Sequence, residues 1–506
     1  MLCLNKTPDG AAIVRRMLLK GKLKLITPLI IGGGRSIYGD SDIIVLKDEC
    51  GQPFIPSSSI TGALKHAFAD YQYQGNETEY EQNELWFWGG EYTFNKDGEC
   101  FKRSCQSSLT IADMVMEKHA KASVTIRDGI RIDSKTGVVE RRKKFDFETV
   151  EPGTAFDFKM EVVIREAFNV ELFRSFFNWI AVILSGGKFA IGARTGQGFG
   201  RCKLENLNAY EFDYQKPEHV IAWLSTDHSK AQLLYSPLQV PLAFQPRHKE
   251  FRLEAGFAIK NALMVGSYSG NPQAPDKVHI KSRDHNGSGD IAVLPGTSFR
   301  GAIRSRAERI INSLGANGSE ALKGLFGWVD DEPGPSEHKK TVRGRIKIEE
   351  RQIPRETYVE ETQSRIKIDR FTGGVINNAL FDSMPVWAKE GNEPMVTLEL
   401  GIKDYKDWEA GLMLLVLKDL WNGDLAVGGE KNVGRGVLQG LSAIISLADQ
   451  VIEMKQDDDK LLLFRQGNEP GWDGDMAYLL EKKLASLIEH IKNIQTPEKE
   501  VTSYAE

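Results

Sequence analysis

One pattern of residues occurs twice in the sequence, more than two hundred positions apart, and this limits the chain to folds built from two similar units. The first copy is Asp42-Ile-Ile-Val-Leu-Lys47 followed by Pro56-Ser-Ser-Ser-Ile-Thr-Gly-Ala-Leu-Lys65. The second copy is Asp276-Lys-Val-His-Ile-Lys281 followed by Pro295-Gly-Thr-Ser-Phe-Arg-Gly-Ala-Ile-Arg304. In both, an aspartate precedes a lysine by five residues on an extended segment, and a proline leads into a basic helix. Two long copies indicate a duplicated domain rather than a solenoid.

The length and composition agree with two globular domains. A chain of 506 residues exceeds what one core usually supports. It is 41% hydrophobic and 27% charged, and no run approaches the roughly 18 apolar residues of a membrane-spanning helix. The start of the chain shows no secretory signal pattern, so we expect a cytoplasmic protein without a membrane partner. The net charge of −5 excludes a uniformly basic nucleic-acid coat, and any such binding must depend on local basic segments.

The cysteines favour a reducing compartment. There are five, an odd number, and all lie in the first half of the chain. This suits free thiols better than a disulfide framework. Cys100 and Cys105, with His119 downstream, leave a zinc site open as an alternative, but no second Cys or His pair lies at finger-like spacing.

Hydrophobic periodicity predicts the same order of elements in both halves. The first half has an alternating strand over 17–30, a helix beginning at Pro56, alternating strands between 123 and 164, a helix over 172–185 and a strand over 198–210. This is the β-α-β-β-α-β order of ferredoxin-like domains, which RNA-recognition domains share. We therefore predict an α+β protein of two tandem ferredoxin-like domains.

The repeat and the prolines between its copies predict the domain boundaries. We expect a first domain over 1–212, a linker over 213–249, a second domain over 250–448 and a C-terminal helical tail over 449–506. One amphipathic helix over 474–493 is predicted in the tail, and its apolar face could dock on a neighbouring subunit.

Two runs of positive charge fall beside predicted strands. Arg141, Arg142, Lys143 and Lys144 belong to a segment that we predict to project as a β-hairpin. In the second half, the run of Lys339, Lys340, Arg343, Arg345 and Lys347 is assigned to a corresponding hairpin. Such runs are most often solvated surface, but on a hairpin they also suit contact with RNA.

Together these motifs resemble the RAMP proteins that form the backbone of type III CRISPR effector complexes. The first half carries Gly32-Gly-Gly34, "RDGIRID" at 127–133, "FDFETVEPGTAF" at 145–156 and "GARTGQGFGR" at 192–201. The matching segments of the second half are "DKVHIK" at 276–281, "LPGTSFRGAIR" at 294–304, "SRIKIDRFTGGV" at 364–375 and "GGEKNVGRG" at 428–436. A fusion of two such units is most similar to the type III-D variants.

The resemblance implies a fold and an activity. Each unit would have a modified RNA-recognition domain as its palm and a β-hairpin thumb that intercalates into the guide–target duplex. The chain would bind guide RNA (crRNA), target RNA and other effector subunits, and would cut the target in a reaction that needs a divalent metal, Mg²⁺ in our expectation. The required aspartate falls on Asp42 and on Asp276, although the loop before Asp276 departs from the glycine triplet of the first copy.

A single carboxylate suffices if the nucleophile is the 2′-OH of the RNA, because a displaced base lets the ribose and phosphate approach in-line geometry. The aspartate would accept the 2′-OH proton or hold a hydrated Mg²⁺, and both roles stay open. The simpler interpretation of Asp42 is a turn carboxylate or a partner of Lys47, and Asp40 lies two residues away. His279 and His285 are further candidates for an acid, but such histidines are usually structural.

We expect the remaining RNA contacts from three kinds of position. Helix starts present free N–H groups that suit a phosphate, with plain capping as the alternative. Basic side chains on those helices and hairpins suit the RNA backbone. The glycine-rich segments lack the Lys-Ser/Thr of a phosphate-binding loop and instead suit close packing against RNA or a sheet. The expected contacts are Arg35, Ser57, Ser58, Ser59, Lys65, Arg141, Arg142, Lys143, Lys144, Gly196, Gly198, Thr297, Ser298, Arg300, Arg304, Arg343, Arg345 and Arg435.

The function predicted from the sequence is therefore a guide-RNA-binding backbone subunit that cleaves target RNA at Asp42, Asp276 or both. One alternative is a purely structural RNA-binding backbone with silent sites. Another is a stand-alone nuclease that processes repeat RNA, although its usual catalytic histidine has no clear counterpart here. A nucleotide-dependent enzyme is disfavoured because no phosphate motif is present.

Overall fold

The structure is a computed structural model of the chain. It describes residues 3–4, 11–33, 41–96, 99–117, 122–133, 136–225, 228, 232–233, 241, 243–267, 274–285, 287, 289–329, 340–389, 395–448, 450–458 and 460–495. Within these residues, no helix is long and apolar enough to cross a membrane.

The first half of the chain folds into one α+β unit. Its elements are, in chain order, β1 (Cys3–Leu4), β2 (Ile13–Leu25), α1 (Ser57–Phe68), β3 (Tyr71–Tyr73), α2 (Glu77–Trp88), β4 (Gly90–Lys96), β5 (Glu99–Cys105), β6 (Leu109–Ile111), β7 (Val124–Ile132), β8 (Val139–Val150), β9 (Ala155–Arg165), α3 (Val170–Ser185), β10 (Cys202–Asp213), α4 (Pro217–Leu224) and β11 (Gln232–Leu233).

A five-stranded antiparallel sheet with the order β11-β10-β2-β9-β6 forms the centre of this unit. Strand β2 has the predicted alternation, with Leu19 and Leu23 buried and the lysines between them partly exposed. The buried face packs against α1 and α3, which contribute Leu64 and Phe176 to the same core. The aromatic segment at 86–88 was expected in the core, and all three of its side chains are buried there.

The second half forms a unit with a similar central sheet and helices and with additional strands. Its elements are β12 (Phe244–Pro246), β13 (Glu250–Ile259), β14 (Ala262–Leu263), β15 (Gly266–Ser267), β16 (Lys277–His279), β17 (Lys281–Arg283), β18 (Asp290–Leu294), α5 (Gly296–Ser313), α6 (Gly318–Ala321), α7 (Lys323–Phe326), β19 (Trp328–Val329), β20 (Thr341–Val342), β21 (Ile346–Ile348), β22 (Arg351–Gln352), β23 (Tyr358–Glu360), β24 (Gln363–Ile368), β25 (Val375–Met384), β26 (Val386–Ala388), β27 (Val396–Lys403), α8 (Asp407–Trp421), β28 (Leu438–Leu447), β29 (Gln450–Asp457), β30 (Lys460–Arg465) and α9 (Gly474–Gln495).

The second central sheet is antiparallel and has the order β21-β27-β13-β28-β29-β30. Strands β21, β27, β13 and β28 occupy the places that β6, β9, β2 and β10 hold in the first sheet. Helices α5 and α8 supply Phe299, Ile303 and Leu412 to the core beside it. The duplication expected from the sequence is therefore present in the fold.

The C-terminal region corrects the prediction of a purely helical tail. Strands β29 (Gln450–Asp457) and β30 (Lys460–Arg465) extend the second sheet. Helix α9 packs on α8 of the same chain, and the backbone of Lys483 comes so close to Gly411 that a Cβ at Gly411 would lie 2.2 Å from the carbonyl oxygen of Lys483. The predicted linker also contains structure: α4 packs on β10, and β12 pairs with β3.

Each unit also has an antiparallel hairpin outside its central sheet; the first is a two-stranded sheet, and the second belongs to a four-stranded sheet with the order β15-β16-β25-β24. In the first unit β7 pairs with β8, as predicted around residues 140–144. In the second unit β24 pairs with β25. Matching hairpin positions differ by 236 residues, as Asp133 and Asp369 do at the two turns.

Candidate catalytic and RNA-binding sites

Asp42 and Asp276 occupy the same position in their units, at the side of a hairpin strand. Both side chains are exposed. The backbone N–H of Asp146 on β8 donates to Oδ2 of Asp42 at 3.0 Å, and the backbone N–H of Asp382 on β25 donates to Oδ2 of Asp276 at 3.1 Å. A backbone amide on each hairpin strand thus orients each carboxylate, which then faces solvent.

The lysine five residues after each aspartate does not pair with it. Lys47 forms an ion pair with Glu148 at 3.1 Å, and Lys281 forms one with Glu360 at 2.7 Å. The repeated spacing between aspartate and lysine instead reflects a short extended segment that runs parallel to the hairpin strand. In the first unit, a β-bridge between Ile43 and Phe147 joins this segment to the strand. The alternative role of Asp42 as the partner of Lys47 is therefore wrong.

The two sites differ in a neighbouring carboxyl group. Asp128 on β7 lies opposite Asp146, and the position that matches Asp128 in the second unit is Ser364. A hydrogen bond with Asp128, together with partial burial and the negative charges nearby, raises the pKa of Asp146 above its ordinary value. The first site therefore places the carboxyl groups of Asp128 and Asp146 near Asp42, whereas a serine stands at the position of Asp128 in the second site.

The basic run of the first hairpin lies next to the first site. Arg141, Arg142, Lys143 and Lys144 are all exposed on β8, and Asp146 follows two residues later. Lys144 lies 3.4 Å from the carboxylate of Asp128. These four cations therefore lie on the same strand as Asp146, whose backbone N–H holds the carboxylate of Asp42.

The basic run predicted for the second hairpin lies elsewhere. Lys340 precedes β20, Arg343 follows it, and Lys347 lies on β21, the edge strand of the central sheet; Lys339 lies outside the described residues. Arg345 pairs with the buried Glu409 and donates to the carbonyl oxygen of Asp404 at 2.8 Å. The hairpin assignment is wrong because β24 and β25 form the second hairpin, and Arg345 instead anchors the start of α8.

Arg343 reaches across to the first unit. Its guanidinium lies 2.9 Å from Nε2 of His66 on α1. This contact between the units adds a structural role that the sequence did not indicate for either residue.

The start of α1 exposes hydroxyl groups but also faces a carboxylate. Ser58 is exposed, whereas Ser57 and Ser59 are half-buried. The backbone N–H of Ser57 donates to Oδ1 of Asp113 at 2.7 Å. One of the free amides expected to receive a phosphate is thus already satisfied by an acidic side chain.

The start of α5 lies at the contact between the two units, together with the glycine-rich loop of the first. Thr297 and Ser298 are half-buried beside a single turn of 3-10 helix formed by Thr195–Gln197. Gly198 has a φ of +89°, and a Cβ there would lie 2.1 Å from the backbone nitrogen of Glu350. This loop was expected to pack against RNA or a sheet. In the structure, the backbone of the second unit lies against Gly198.

The basic residues on these helices are divided between surface and interior. Lys65 and Arg304 are exposed, and Lys65 lies among Glu81, Glu84 and Glu91. Arg300 is largely buried: its guanidinium donates to the carbonyl oxygens of Ile346 and Phe326, both at 2.8 Å. Burial, assisted by the charge of Arg304, lowers the pKa of Arg300 to about 10. Arg300 also donates to the carbonyl oxygen of Gly196 in the first unit at 3.4 Å, so it lies where the two units meet.

The last predicted RNA contacts are structural or lie outside the described residues. Arg435 is buried and forms an ion pair with Glu430 at 2.6 Å. It also lies within hydrogen-bonding distance of Gln363 and Ser383 at the base of the second hairpin. Arg35 lies outside the described residues.

The histidines and cysteines do not extend the site. His279 is buried, and its ring contacts the backbone N–H of Val265 and the carbonyl oxygen of Val293. His285 is partly exposed and lies 2.9 Å from the side chain of Gln352. Cys105 is buried, with its Sγ 3.7 Å from the carbonyl oxygens of Leu85 and Gly90, and His119 lies outside the described residues.

Several charged residues that join the two units were missed from the sequence. Arg127 forms a buried ion pair with Glu350 at 2.6 Å, across 223 residues of chain. Oε2 of Glu151 accepts hydrogen bonds from the hydroxyl of Ser282 at 2.5 Å and from the backbone N–H of Arg283 at 2.9 Å. The sequence signal for such residues was a polar residue in an otherwise alternating strand. That signal does not show which residue of another domain is the partner.

The described residues contain no cluster of three or more His, Cys, Asp or Glu side chains suited to a metal ion. Asp42 and Asp276 therefore do not belong to a preformed metal site made only by protein side chains. Mg²⁺ often keeps several waters and is held by one or two carboxylates together with substrate phosphates. The exposed carboxylates of Asp42 and Asp276 suit that kind of binding.

The chain belongs to the RAMP superfamily, whose family model matches residues 22–203 and 263–439. The two matched segments coincide with the two units of the fold. Proteins of this superfamily bind CRISPR RNA and other effector subunits, which indicates a CRISPR-associated RNA-binding protein. No curated protein matches the chain.

Proposed function

From its membership of the RAMP superfamily, we propose that the chain is a guide-RNA-binding backbone subunit of a type III CRISPR ribonucleoprotein that also cleaves target RNA. In this proposal the two central sheets belong to ferredoxin-like palms and the two hairpins are the thumbs. The observation that carries the catalytic part is the repeated geometry of Asp42 and Asp276, each exposed and held by a backbone amide of its hairpin strand.

The arrangement supports cleavage by positioning. A strand of RNA held by the cations at 141–144 would present its backbone to Asp42, because these residues lie on the strand that orients this carboxylate. The carboxylate would accept the proton of a 2′-OH or contact a hydrated Mg²⁺. The ion, when bound, would neutralise charge on the scissile phosphate.

Separate substitution of the two aspartates tests the catalytic proposal. Asp42→Asn and Asp276→Asn keep an acceptor for the backbone N–H but remove the charge. In the reconstituted complex, we expect each variant to lose its own cleavage product by roughly 10²- to 10⁴-fold, the range for a general base, while guide RNA stays bound. Mapping of the cleaved target RNA gives the result.

The matched control is Asp157→Asn on β9, an exposed carboxylate that pairs with Lys22. It should leave both products unchanged. Chelation of divalent cations should remove cleavage without releasing the guide. If both aspartate variants cleave at the normal rate, the chain is a structural backbone subunit, which is the second candidate function.

A further inference from the structure

A glutamate of β8 holds the segment that follows Asp42. Oε2 of Glu148 accepts a hydrogen bond at 3.0 Å from the backbone N–H of Val45, three residues after Asp42. The same carboxylate forms the ion pair with Lys47. Strand β8 therefore holds this segment twice, through the backbone N–H of Asp146 at Asp42 and through the side chain of Glu148 further along.

The second hairpin has no glutamate at the corresponding position. Met384 lies 236 residues after Glu148 and is its counterpart on β25. Trp387 likewise occupies the position that Glu151 has in the first unit. Neither a thioether nor an indole can replace a carboxylate as the acceptor of two hydrogen bonds.

A glutamate of the first unit instead holds the segment that follows Asp276. Glu151 comes directly after β8 and is 1% exposed. Its Oε2 accepts hydrogen bonds from the hydroxyl of Ser282 at 2.5 Å and from the backbone N–H of Arg283 at 2.9 Å, six and seven positions after Asp276. The second unit itself holds β16, which lies between β15 and β25, but the end of the segment at β17 contacts the first unit.

The other oxygen of Glu151 fixes the carboxylate within the first unit. Oε1 accepts hydrogen bonds from the hydroxyls of Thr125 on β7 and Thr149 on β8, and it lies 4.0 Å from the guanidinium of Arg127. A buried carboxylate with partners on both oxygens is held in one orientation, because the loss of any partner would cost free energy. The position of β17 therefore depends on the two strands of the first hairpin.

We propose that Glu151 is a positioning residue for the second site, so that the first unit supports the segments of both aspartates. This inference rests on the proposed cleavage function and adds to it a dependence of the second site on the first unit. A shift of β17 and β16 would displace Asp276 from the backbone N–H of Asp382, which orients it at 3.1 Å. A catalytic group displaced by about 1 Å can lose on the order of 100-fold in rate.

Leucine variants of the two glutamates, made in the full chain within the reconstituted complex, test the inference by their crossed effects. Glu151→Leu should lower kcat at the second site by about 10- to 100-fold, without changing KM for the target or the product of the first site. Glu148→Leu is the matched variant, and it should lower the product of the first site instead. Glu151→Gln should restore most of the second product, because its amide oxygen can still accept both hydrogen bonds.

Amide hydrogen exchange gives a second measurement that does not depend on cleavage. In Glu151→Leu, the amides of β16 and β17 should exchange at least about 5-fold faster than in the wild type, which corresponds to one lost hydrogen bond. The amides of 42–47 should be unchanged in this variant, and Glu151→Gln should return the exchange of β17 toward the wild-type rate.

Other results would overturn the inference in distinguishable ways. If Glu151→Leu leaves both the second product and the exchange of β17 at wild-type values, Glu151 does not position the second site. If it lowers both products equally, it acts through the stability of the whole chain, and the inference fails while the cleavage function stands. If the wild type yields no second product, the proposed cleavage at Asp276 fails, and this inference fails with it.

Discussion

At the scale of residues, equal positions do not imply equal surroundings. Asp42 and Asp276 accept the same backbone hydrogen bond, but only the first has an additional carboxyl group, Asp128, beside the strand residue that holds it. The additional negative charge should favour a cation and disfavour a phosphate. Activity of the two sites can therefore differ even though their backbones match.

His279 gives a prediction about the pH dependence of stability. Burial lowers its pKa to about 4, against about 6.5 for an exposed histidine. Between these pH values, His279 binds a proton more readily in the unfolded chain than in the folded chain. Its contribution to the free energy of unfolding is therefore complete above pH about 6.5 and falls as the pH drops toward 4. The loss should reach roughly 3 kcal/mol at most, from about 1.36 kcal/mol per pKa unit.

Urea denaturation at a series of pH values measures this effect. The difference in stability between the wild type and His279→Gln should shrink as the pH falls, because the variant lacks the titrating ring. Subtracting the two curves removes the contribution of carboxylates that titrate in the same range. Parallel curves would show that His279 does not cause the acid sensitivity.

At the scale of elements, the two glycine-rich loops share their conformation but differ in the surroundings of one glycine. Gly198 and Gly434 occupy matching places, with φ of +89° and +82°. A Cβ at Gly198 would meet the backbone of Glu350, whereas a Cβ at Gly434 would meet nothing within 4 Å. Gly198 therefore lies against the second unit, and Gly434 faces open space.

These glycines form a matched pair for substitution by alanine. Both variants should lose about 1–2 kcal/mol because of the positive φ. Gly198→Ala should lose about a further 1–3 kcal/mol through overpacking. Thermal unfolding compares the stability that the two variants lose. Equal losses would mean that the backbone around Gly198 adjusts to the added methyl group without a loss of stability.

At the scale of the whole molecule, buried polar contacts join the two units. The Arg127–Glu350 pair is almost fully buried, and Glu151 accepts two hydrogen bonds from the second unit. Removing one partner of a buried pair leaves an uncompensated charge, which typically costs about 3–5 kcal/mol. This pair thus couples the units energetically.

A double-mutant cycle on Arg127 and Glu350 measures that coupling. Arg127→Met and Glu350→Met should each destabilise the chain strongly and separate the unfolding of the two units into distinct transitions. The double variant should lose less than the sum of the two single losses, because neither member of the pair is left buried without the other, although Glu151 also loses its contact with Arg127 at 4.0 Å. Additive losses in chemical denaturation would contradict a direct interaction.

The sequence by itself determined the duplication, the α+β order of elements and the buried faces. These follow from local periodicity, as in the alternation of Leu19 and Leu23 with lysines on β2, and such patterns require no knowledge of distant residues. The same is true of the first hairpin, where strand patterns flank the charged segment.

The tertiary structure decided the location of the second hairpin, the roles of Arg300, Arg345 and Arg435, and the contacts between the units. A positive side chain has the same local pattern whether it faces RNA, solvent or a buried carboxylate. Its partner is set by chain segments brought together from far apart, as Arg127 and Glu350 are. Gly198 likewise needs to be glycine because another unit lies against it, and only the folded chain shows which one.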